Sequence, residues 1–309
     1  MNKSNKKYLT IIVTAVLISV GVLFFSMKTR DAASPSSQPA GRQETLYPET
    51  TISHGHGLAV DVKDSNKLHI ATHYGLFVLV NEKDLFRIGK SRDDYMGFSP
   101  HPIDPKIFFT SGHSSSGGNL GFQKSEDGGV TWKKVSDGIN GPVDFHAMAV
   151  SPVNPDLIYG WYQGNLQRSE DQGKTWEIIN RNLRIGYLTA DTQDESTVYA
   201  ATPRGIIVSK NKGATWTSLS LELESGAVTV IAVSFKDAKT LLAFSQALGG
   251  LEKSDNGGKT WKKVDESFNG EVIYHLAFDK NEPERVYALT AKNSLYKSAD
   301  GGVIWNKIH

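Results

Sequence analysis

The chain has 309 residues, which is enough for one large all-β domain or two ordinary domains. Its 34 Lys plus Arg balance 33 Asp plus Glu, so the composition argues against a protein that binds nucleic acid or another polyanion through bulk positive charge. The chain has no cysteine, which excludes disulfides, thiolate metal sites and a lipid-modified cysteine.

The N-terminal segment predicts a membrane anchor. Three lysines within residues 1–7 precede the uncharged run YLTIIVTAVLISVGVLFF, and extension to Met27 gives the roughly 20 residues that span a bilayer as a helix. We therefore predict a cytoplasmic tail at 1–7, a transmembrane anchor at 8–27 and a Ser/Pro-rich linker at 28–53. A cleaved signal peptide is the alternative. Both interpretations place the rest of the chain outside the cytoplasm, either as a single-pass membrane protein or as a secreted one.

The remainder of the chain repeats a short box five times. The copies are SEDGGVTW at 125–132, SEDQGKTW at 169–176, SKNKGATW at 209–216, SDNGGKTW at 254–261 and SADGGVIW at 298–305. Their tryptophans are 44, 40, 45 and 44 residues apart, and a sixth copy without the box residues lies around Phe86 in GLFVLVNEKDLFRI. A regular period of this length indicates stacked supersecondary units.

Each repeat contains four short strand-like runs separated by turn-forming residues. In the third repeat these runs are FHAMAV, LIYGWY, LQRSE and WEII. Four strands in about forty residues are typical of a propeller blade. We predict an all-β fold, a six-bladed β-propeller with four-stranded blades over 54–309, preceded by one transmembrane helix and a flexible tether.

The pattern S-x-D-x-G-x-T-W resembles the Asp-box, or bacterial neuraminidase repeat. The exported domain resembles bacterial glycosylhydrolase-like and sialidase-like Asp-box proteins, and more distantly the propellers of sortilin-type receptors and photosystem II assembly factors. These families include both enzymes and pure binders, so the resemblance indicates the fold more strongly than an activity.

The box itself is predicted to be structural. Its acidic position can accept hydrogen bonds from turn amides, its glycine supplies a conformation that side chains disfavour, and its tryptophan can fill the seam between blades. Two copies carry Asn, which keeps the acceptor and loses the charge that a catalytic acid or a calcium ligand would need. The five positions are Asp127, Asp171, Asn211, Asn256 and Asp300.

A binding site is expected on the face opposite the boxes, as the resemblance implies for Asp-box enzymes. Aligning HGLAV with HAMAV and DDYMGF places His56, Asp94 and His146 at equivalent positions, with His73 and His113 nearby. Imidazoles and a carboxylate that converge can bind a transition metal, so the predicted metal ligands are His56, Asp94, His146 and His113. Histidines that only stabilise the loops are the alternative.

Other residues of that face are candidates for binding a ligand or for catalysis. A classical sialidase is disfavoured, because FRIG at 86–89 falls in the last strand of its blade and not at the start, where the resemblance would require the first arginine of the substrate-binding triad. The ligand-binding candidates are His54, His73, Arg184, Arg204 and Trp161. The catalytic candidates, without an assigned role, are Asp94, Glu271 and Tyr274.

Three hypotheses of function follow. The first is a monomeric, membrane-tethered, glycoside-hydrolase-like propeller that recognises or processes carbohydrate of the cell envelope, and it predicts paired carboxylates near the channel mouth. The second is a non-catalytic platform that binds or assembles an envelope protein, and it predicts a broad apolar patch. The third is a metal site in the histidine cluster, which predicts converging imidazole nitrogens.

Overall fold

A computed structural model describes residues 45–264 and 268–309 of the protein. The predicted tail, the predicted anchor at 8–27 and the linker up to residue 44 lie outside the described residues. Within the two described ranges, no helix is both long and apolar enough to cross a membrane.

The first three blades contain thirteen strands, because one extra strand joins the first blade. Blade one consists of β1 to β5, at Leu46–Pro48, Gly55–Val60, Lys67–Thr72, Gly75–Val80 and Asp84–Ile88. Blade two consists of β6 to β9, at Asp94–Pro100, Phe108–His113, Phe122–Ser125 and Lys133–Ser136. Blade three consists of β10 to β13, at Ala147–Val150, Ile158–Tyr162, Asn165–Ser169 and Glu177–Arg181.

The last three blades have four strands each. Blade four consists of β14 to β17, at Tyr187–Ala190, Val198–Thr202, Gly205–Ser209 and Thr217–Ser218. Blade five consists of β18 to β21, at Val228–Val233, Leu241–Ser245, Gly250–Ser254 and Lys262–Lys263. Blade six consists of β22 to β25, at Ile273–Phe278, Val286–Thr290, Leu295–Ser298 and Asn306–Lys307. Two 3₁₀ turns, Leu221–Leu223 and Phe268–Gly270, follow the last strands of blades four and five.

The six-bladed propeller predicted from the repeats is confirmed. Each sheet is antiparallel, blades two to six keep their strands in chain order, and the copy without the box around Phe86 forms a complete blade. Blade one differs from the prediction by a fifth strand, because Leu46–Pro48 pairs with β5 at its outer edge. This pairing covers a strand edge that would otherwise be open to solvent.

The hydrophobic core lies between the blades. Six clusters of buried side chains each join two neighbouring blades, and one of them joins blade six to blade one. In that cluster Leu58 of blade one packs with Leu289 of blade six. Gly55 N also donates a hydrogen bond to Asn293 Oδ1 at 3.0 Å, across the same junction. Blade six needs no strand from the N-terminus, so side-chain packing and these hydrogen bonds close the ring.

The box forms the turn between the third and fourth strands of its blade. In blade two, Asp127 Oδ1 accepts hydrogen bonds from Thr131 N and Ser125 Oγ, both at 2.9 Å. In blade four, Asn211 Oδ1 accepts a hydrogen bond from Thr215 N at the same distance. Asp and Asn therefore make the same contact with the turn, and the charge is not needed for it.

The box of blade three also packs against blade two. The indole of Trp176 lies 5.1 Å from the ring of Phe122, centroid to centroid, and its Nε1 donates a hydrogen bond to Ser136 Oγ at 2.9 Å. Gly173 has a φ of +80°, and a Cβ there would lie 2.0 Å from Phe122. The glycine thus permits both the turn and the close approach of two blades.

Candidate functional site

The strand register corrects one alignment made from the sequence. Gly57 pairs with Ala71 in blade one and Gly97 with Ser111 in blade two, so the residue level with His56 is Met96 and not Asp94. Both His56 and Met96 lie at a β-bulge, where an inserted residue has no partner on the neighbouring strand. A bulge adds a residue of any type to a strand. The alignment of sequence letters therefore placed Asp94 level with His56, two residues away from the correct position, Met96.

Asp94 instead lies two residues before the bulge, where blades one and three carry His54 and Asp144. His146 remains level with His56, as the alignment predicted. The first three blades therefore present His, Asp and Asp at the same height of the channel mouth. Imidazoles and carboxylates do meet at the channel mouth. The residues at one height are His54, Asp94 and Asp144, and not the predicted set of His56, Asp94 and His146.

The first part of the site joins blades one and two. His56 Nε2 lies 3.1 Å from His73 Nε2, and His73 Nδ1 is hydrogen-bonded to Asp94 Oδ2 at 2.7 Å. His54 joins them: the three histidines offer nitrogens that all lie within 4.8 Å of one another. His54 has a φ of +47°, a conformation that is uncommon for a residue other than glycine.

The second part of the site joins blades two and three. Asp144 Oδ2 lies 2.7 Å from His146 Nε2 and 3.3 Å from His113 Nε2. The other nitrogen of His113, Nδ1, lies 3.8 Å from Asp94 Oδ2. One imidazole therefore separates the two carboxylates, and the seven side chains form one continuous polar network.

Both carboxylates carry a buried oxygen without a hydrogen-bond partner. These atoms are Asp94 Oδ1 and Asp144 Oδ1, and the Asp144 side chain is only 5% exposed. Asp94 Oδ1 lies 3.7 Å from His56 Nε2. A buried carboxylate oxygen left unpaired is costly, so both atoms mark places where a cation or a donor would be stabilised.

The histidines of the site have opposite protonation preferences. Burial, and after it the neighbouring imidazoles, first among them His73, together lower the pKa of His56 to about 3. Burial also lowers the pKa of His275, to about 4. The hydrogen bond to Asp144 raises the pKa of His146. At neutral pH the His56 and His275 side chains are therefore uncharged.

A cavity of about 970 Å³ occupies the centre of this face. His54, His56 and His146 line it on one side, and Trp161, Arg184, Tyr187, Tyr274 and His275 line it on the others. Among the described residues, no carboxylate lines its wall. Asp94 and Asp144 lie behind the imidazoles and act on the cavity through them.

The other predicted site residues divide between this wall and its surroundings. Arg184 and Trp161 line the cavity, as does Tyr274, which is 45% exposed. Arg204 does not line it. Glu271 is also outside the wall: it accepts hydrogen bonds from Thr290 and Ser294, and the Thr290 bond in particular lowers its pKa.

Two residues of the site, Asp144 and His275, were not predicted from the sequence to lie at the channel mouth. Asp144 is not among the predicted site residues, although its spacing from His146 repeats the spacing of His54 from His56. His275 reaches the cavity wall because it follows Tyr274, which lies at a β-bulge. Recognition of the i, i+2 repeat in blades one and three would have identified Asp144, whereas nothing in the local sequence distinguishes His275.

The chemistry available here is imidazole chemistry supported by carboxylates. Unprotonated imidazole nitrogens that face one another can bind a transition metal, and carboxylates hydrogen-bonded to their far nitrogens orient the rings.

The chain is similar to part of several xyloglucanases. It is 22% identical over 268 residues to the oligoxyloglucan-reducing end-specific xyloglucanase of Emericella nidulans, which covers 67% of this chain and 33% of that protein. It is 26% identical over 186 residues to a xyloglucanase of a Paenibacillus species, covering 52% of this chain and 16% of that protein. The match spans a third or less of the length of these relatives, and no protein-family model matches the chain. The similarity to these xyloglucanases fits the prediction of a possible glycosidase-like hydrolase.

Solved structures share the fold. The GH74 enzyme of Niastella koreensis has a TM-score of 0.56 at 18% identity and covers 81% of this chain and 46% of that chain. YCF48 from Cyanidioschyzon merolae has a TM-score of 0.54 at 18% identity, with coverages of 85% and 87%. A chain of the nidogen/laminin complex has a TM-score of 0.61 at 10% identity, with coverages of 79% and 93%. These similarities show the propeller fold and do not show an activity.

Proposed function

We propose that this protein is an extracytoplasmic, membrane-tethered, glycoside-hydrolase-like propeller that binds an oligosaccharide of the cell envelope in the cavity opposite the boxes. The observation that supports this best is the cavity itself, which is about 970 Å³ and combines four aromatic side chains, Phe98, Trp161, Tyr187 and Tyr274, with the imidazoles and Arg184. That volume is at the upper end of the range for small-molecule sites. The similarity to xyloglucanases supports a carbohydrate as the ligand class.

The aromatic wall is suited to the faces of sugar rings. Trp161 Nε1 donates a hydrogen bond to Leu183 O at 2.8 Å, which fixes the orientation of the indole before a ligand arrives. Tyr274 exposes 45% of its surface on the same cavity. An aromatic side chain already held in place loses little conformational freedom when a ligand stacks on it.

Arg184 supplies the polar recognition in this proposal. It is exposed at the cavity wall, and none of the described residues forms an ion pair or a side-chain hydrogen bond with it. A guanidinium with free donors matches a carboxylate or phosphate in a bidentate fashion. The preferred ligand is therefore an oligosaccharide that carries an acidic substituent.

The proposal concerns binding of the oligosaccharide and does not include its cleavage. A glycosidase needs two carboxylates beside the scissile bond. The described carboxylates nearest the cavity, Asp94 and Asp144, are hydrogen-bonded to imidazoles and lie outside its wall. Hydrolysis would have to use these two residues, so Asp94→Asn and Asp144→Asn variants separate cleavage from binding. The platform hypothesis is the alternative if no carbohydrate binds.

Isothermal titration of the full-length protein tests the proposal with three probes: a neutral xyloglucan oligosaccharide, a uronic-acid-containing oligosaccharide and a short envelope phosphoglycan. The acidic probes are expected to bind at least tenfold more tightly than the neutral one, and Arg184→Ala is expected to abolish that preference. Tyr274→Ala should weaken all carbohydrate binding. Arg204→Ala is the matched control, because this arginine lies outside the cavity wall.

Two results would overturn the proposal. One is that no probe binds the folded protein, and the other is that Arg204→Ala weakens binding as much as Arg184→Ala. Release of reducing ends from any probe, lost in Asp94→Asn, would show that the protein also cleaves its ligand.

A further inference from the structure

We propose that His54, His56 and His73 form a binding site for one divalent transition-metal ion, with Asp94 as the carboxylate that orients and completes it. The three imidazoles come from two neighbouring segments of blade one, and their nitrogens all lie within 4.8 Å of one another. This site does not use Trp161, Arg184 or Tyr274, on which the carbohydrate proposal rests, although His54 and His56 line the same cavity.

The distances suit a shared ion. Two nitrogens bound to one tetrahedral ion, each at about 2.0–2.1 Å, lie about 3.3 Å apart. His56 Nε2 and His73 Nε2 are 3.1 Å apart, which is close to that separation without any rearrangement. The rings of His54 and His73 are 4.6 Å apart, centroid to centroid, so a rotation of the exposed His54 ring brings in the third ligand.

The contact with Asp94 sets the tautomer of His73. Because Nδ1 of His73 donates its proton to Asp94 Oδ2 at 2.7 Å, the Nε2 atom of the neutral ring carries a lone pair and faces His56. A carboxylate on the far nitrogen of a histidine is the usual arrangement around metal-binding histidines. In the absence of a cation His56 Nε2 donates a hydrogen bond to that lone pair at 3.1 Å, and a cation binds between the two Nε2 atoms when His56 carries its proton on Nδ1 instead.

An unpaired carboxylate oxygen points to the same place. Asp94 Oδ1 is buried, has no hydrogen-bond partner and lies 3.7 Å from His56 Nε2. A divalent ion between the imidazoles would compensate this charge, and the oxygen can accept a hydrogen bond from a water molecule bound to the ion. The open coordination position would then face the cavity that His54 and His56 line.

The donor set selects the class of metal. Three imidazole nitrogens and one carboxylate suit Zn²⁺, Cu²⁺ or Ni²⁺, whereas Mg²⁺ and Ca²⁺ prefer oxygen ligands. The chain has no cysteine, so it offers no thiolate to a soft ion such as Cu⁺. Among divalent ions bound to such a site, affinity is expected to be highest for Cu²⁺.

The experiment measures the metal content and metal affinity of the full-length protein. Purified protein, stripped with a chelator and then titrated with Cu²⁺ or Zn²⁺ against a chromogenic competitor, is expected to bind one equivalent. His56→Ala/His73→Ala should bind none, and Asp94→Asn should bind about 10–100-fold more weakly, as for other orienting carboxylates. Mg²⁺ and Ca²⁺ should not compete.

His146→Ala is the matched control, because this histidine lines the same cavity and contacts Asp144 instead of Asp94. It should retain the bound equivalent. The spectroscopic readout is electron paramagnetic resonance of the Cu²⁺ form, which should show hyperfine coupling to three imidazole nitrogens. That readout uses the unmodified protein, so it remains decisive if a variant fails to fold.

The proposal is wrong if the stripped protein takes up no transition metal, or if His146→Ala loses the equivalent and His56→Ala/His73→Ala keeps it. A Cu²⁺ spectrum with no nitrogen coupling would also refute it. Oligosaccharide titrations of the chelator-stripped protein distinguish the two proposals, because Trp161, Arg184 and Tyr274 are then unchanged and carbohydrate binding is expected to survive the loss of the metal ion.

Discussion

The replacement Trp176→Ala should destabilise the propeller by about 3 kcal/mol, the lower end of the usual cost of truncating a large aromatic side chain, because the indole is half-buried. The indole lies against two rings, 5.1 Å from Phe122 and 5.0 Å from Phe145, centroid to centroid. It also donates from Nε1 to Ser136 Oγ at 2.9 Å. Truncation would leave a cavity in the seam between blades two and three and would remove this hydrogen bond.

Chemical denaturation followed by circular dichroism measures the effect as a difference in the free energy of unfolding. The matched variant is Asp171→Asn in the same box. In the Asn-containing copy of blade four, Asn211 Oδ1 accepts from Thr215 N, and its Nδ2 donates to Thr215 Oγ1, both at 2.9 Å. The substitution therefore exchanges one set of turn hydrogen bonds for another that the fold already uses, and should cost less than about 1 kcal/mol.

The structural account of the box would be refuted if Asp171→Asn were as destabilising as Trp176→Ala. It would equally be refuted if Asp171→Asn kept full stability and abolished ligand binding, because the box would then take part in function.

Three further predictions can be tested on the same protein. Gly173→Ala should also lower the free energy of unfolding by several kcal/mol, because the φ of +80° and the approach to Phe122 both exclude a Cβ; denaturation showing no loss would contradict the packing of that turn. The neutral form of His275 is favoured by folding, since burial lowers its pKa to about 4 from an unfolded value of 6.5, so stability is present above pH 6.5 and falls between pH 6.5 and 4. Between pH 7.5 and 5, the free energy of unfolding of His275→Asn should fall by about 2 kcal/mol less than that of the unmodified protein, as measured by denaturation. An unchanged pH dependence would refute this assignment. Deletion of residues 1–43 should leave a chain that folds and stays in solution without detergent; an aggregated product, with the full-length protein folded, would contradict the tether.

The sequence by itself was sufficient for the blade count because the signals involved are local. Each box encodes its own turn, through a hydrogen-bonded Asp or Asn and a glycine of positive φ, and its tryptophan repeats at propeller spacing. The copy around Phe86 lacks the box and still forms a blade, since the alternation of apolar strand and polar turn is enough to form the hairpin. The residues 46–48 were predicted to belong to the linker, because the strand that Leu46–Pro48 pairs with is distant in sequence.

The site depended on information that no single repeat contains. A β-bulge shifted the register of blade two, so the level of Asp94 could be read only from strand pairing. Its contact with His73 joins two blades, and the position of Asp144 beside His113 joins two more elements of the ring. Spacing along the chain determined which residues could reach the channel mouth. Only the closed ring, by fixing the angle and distance between blades, decided which of them meet and which atoms are left unpaired.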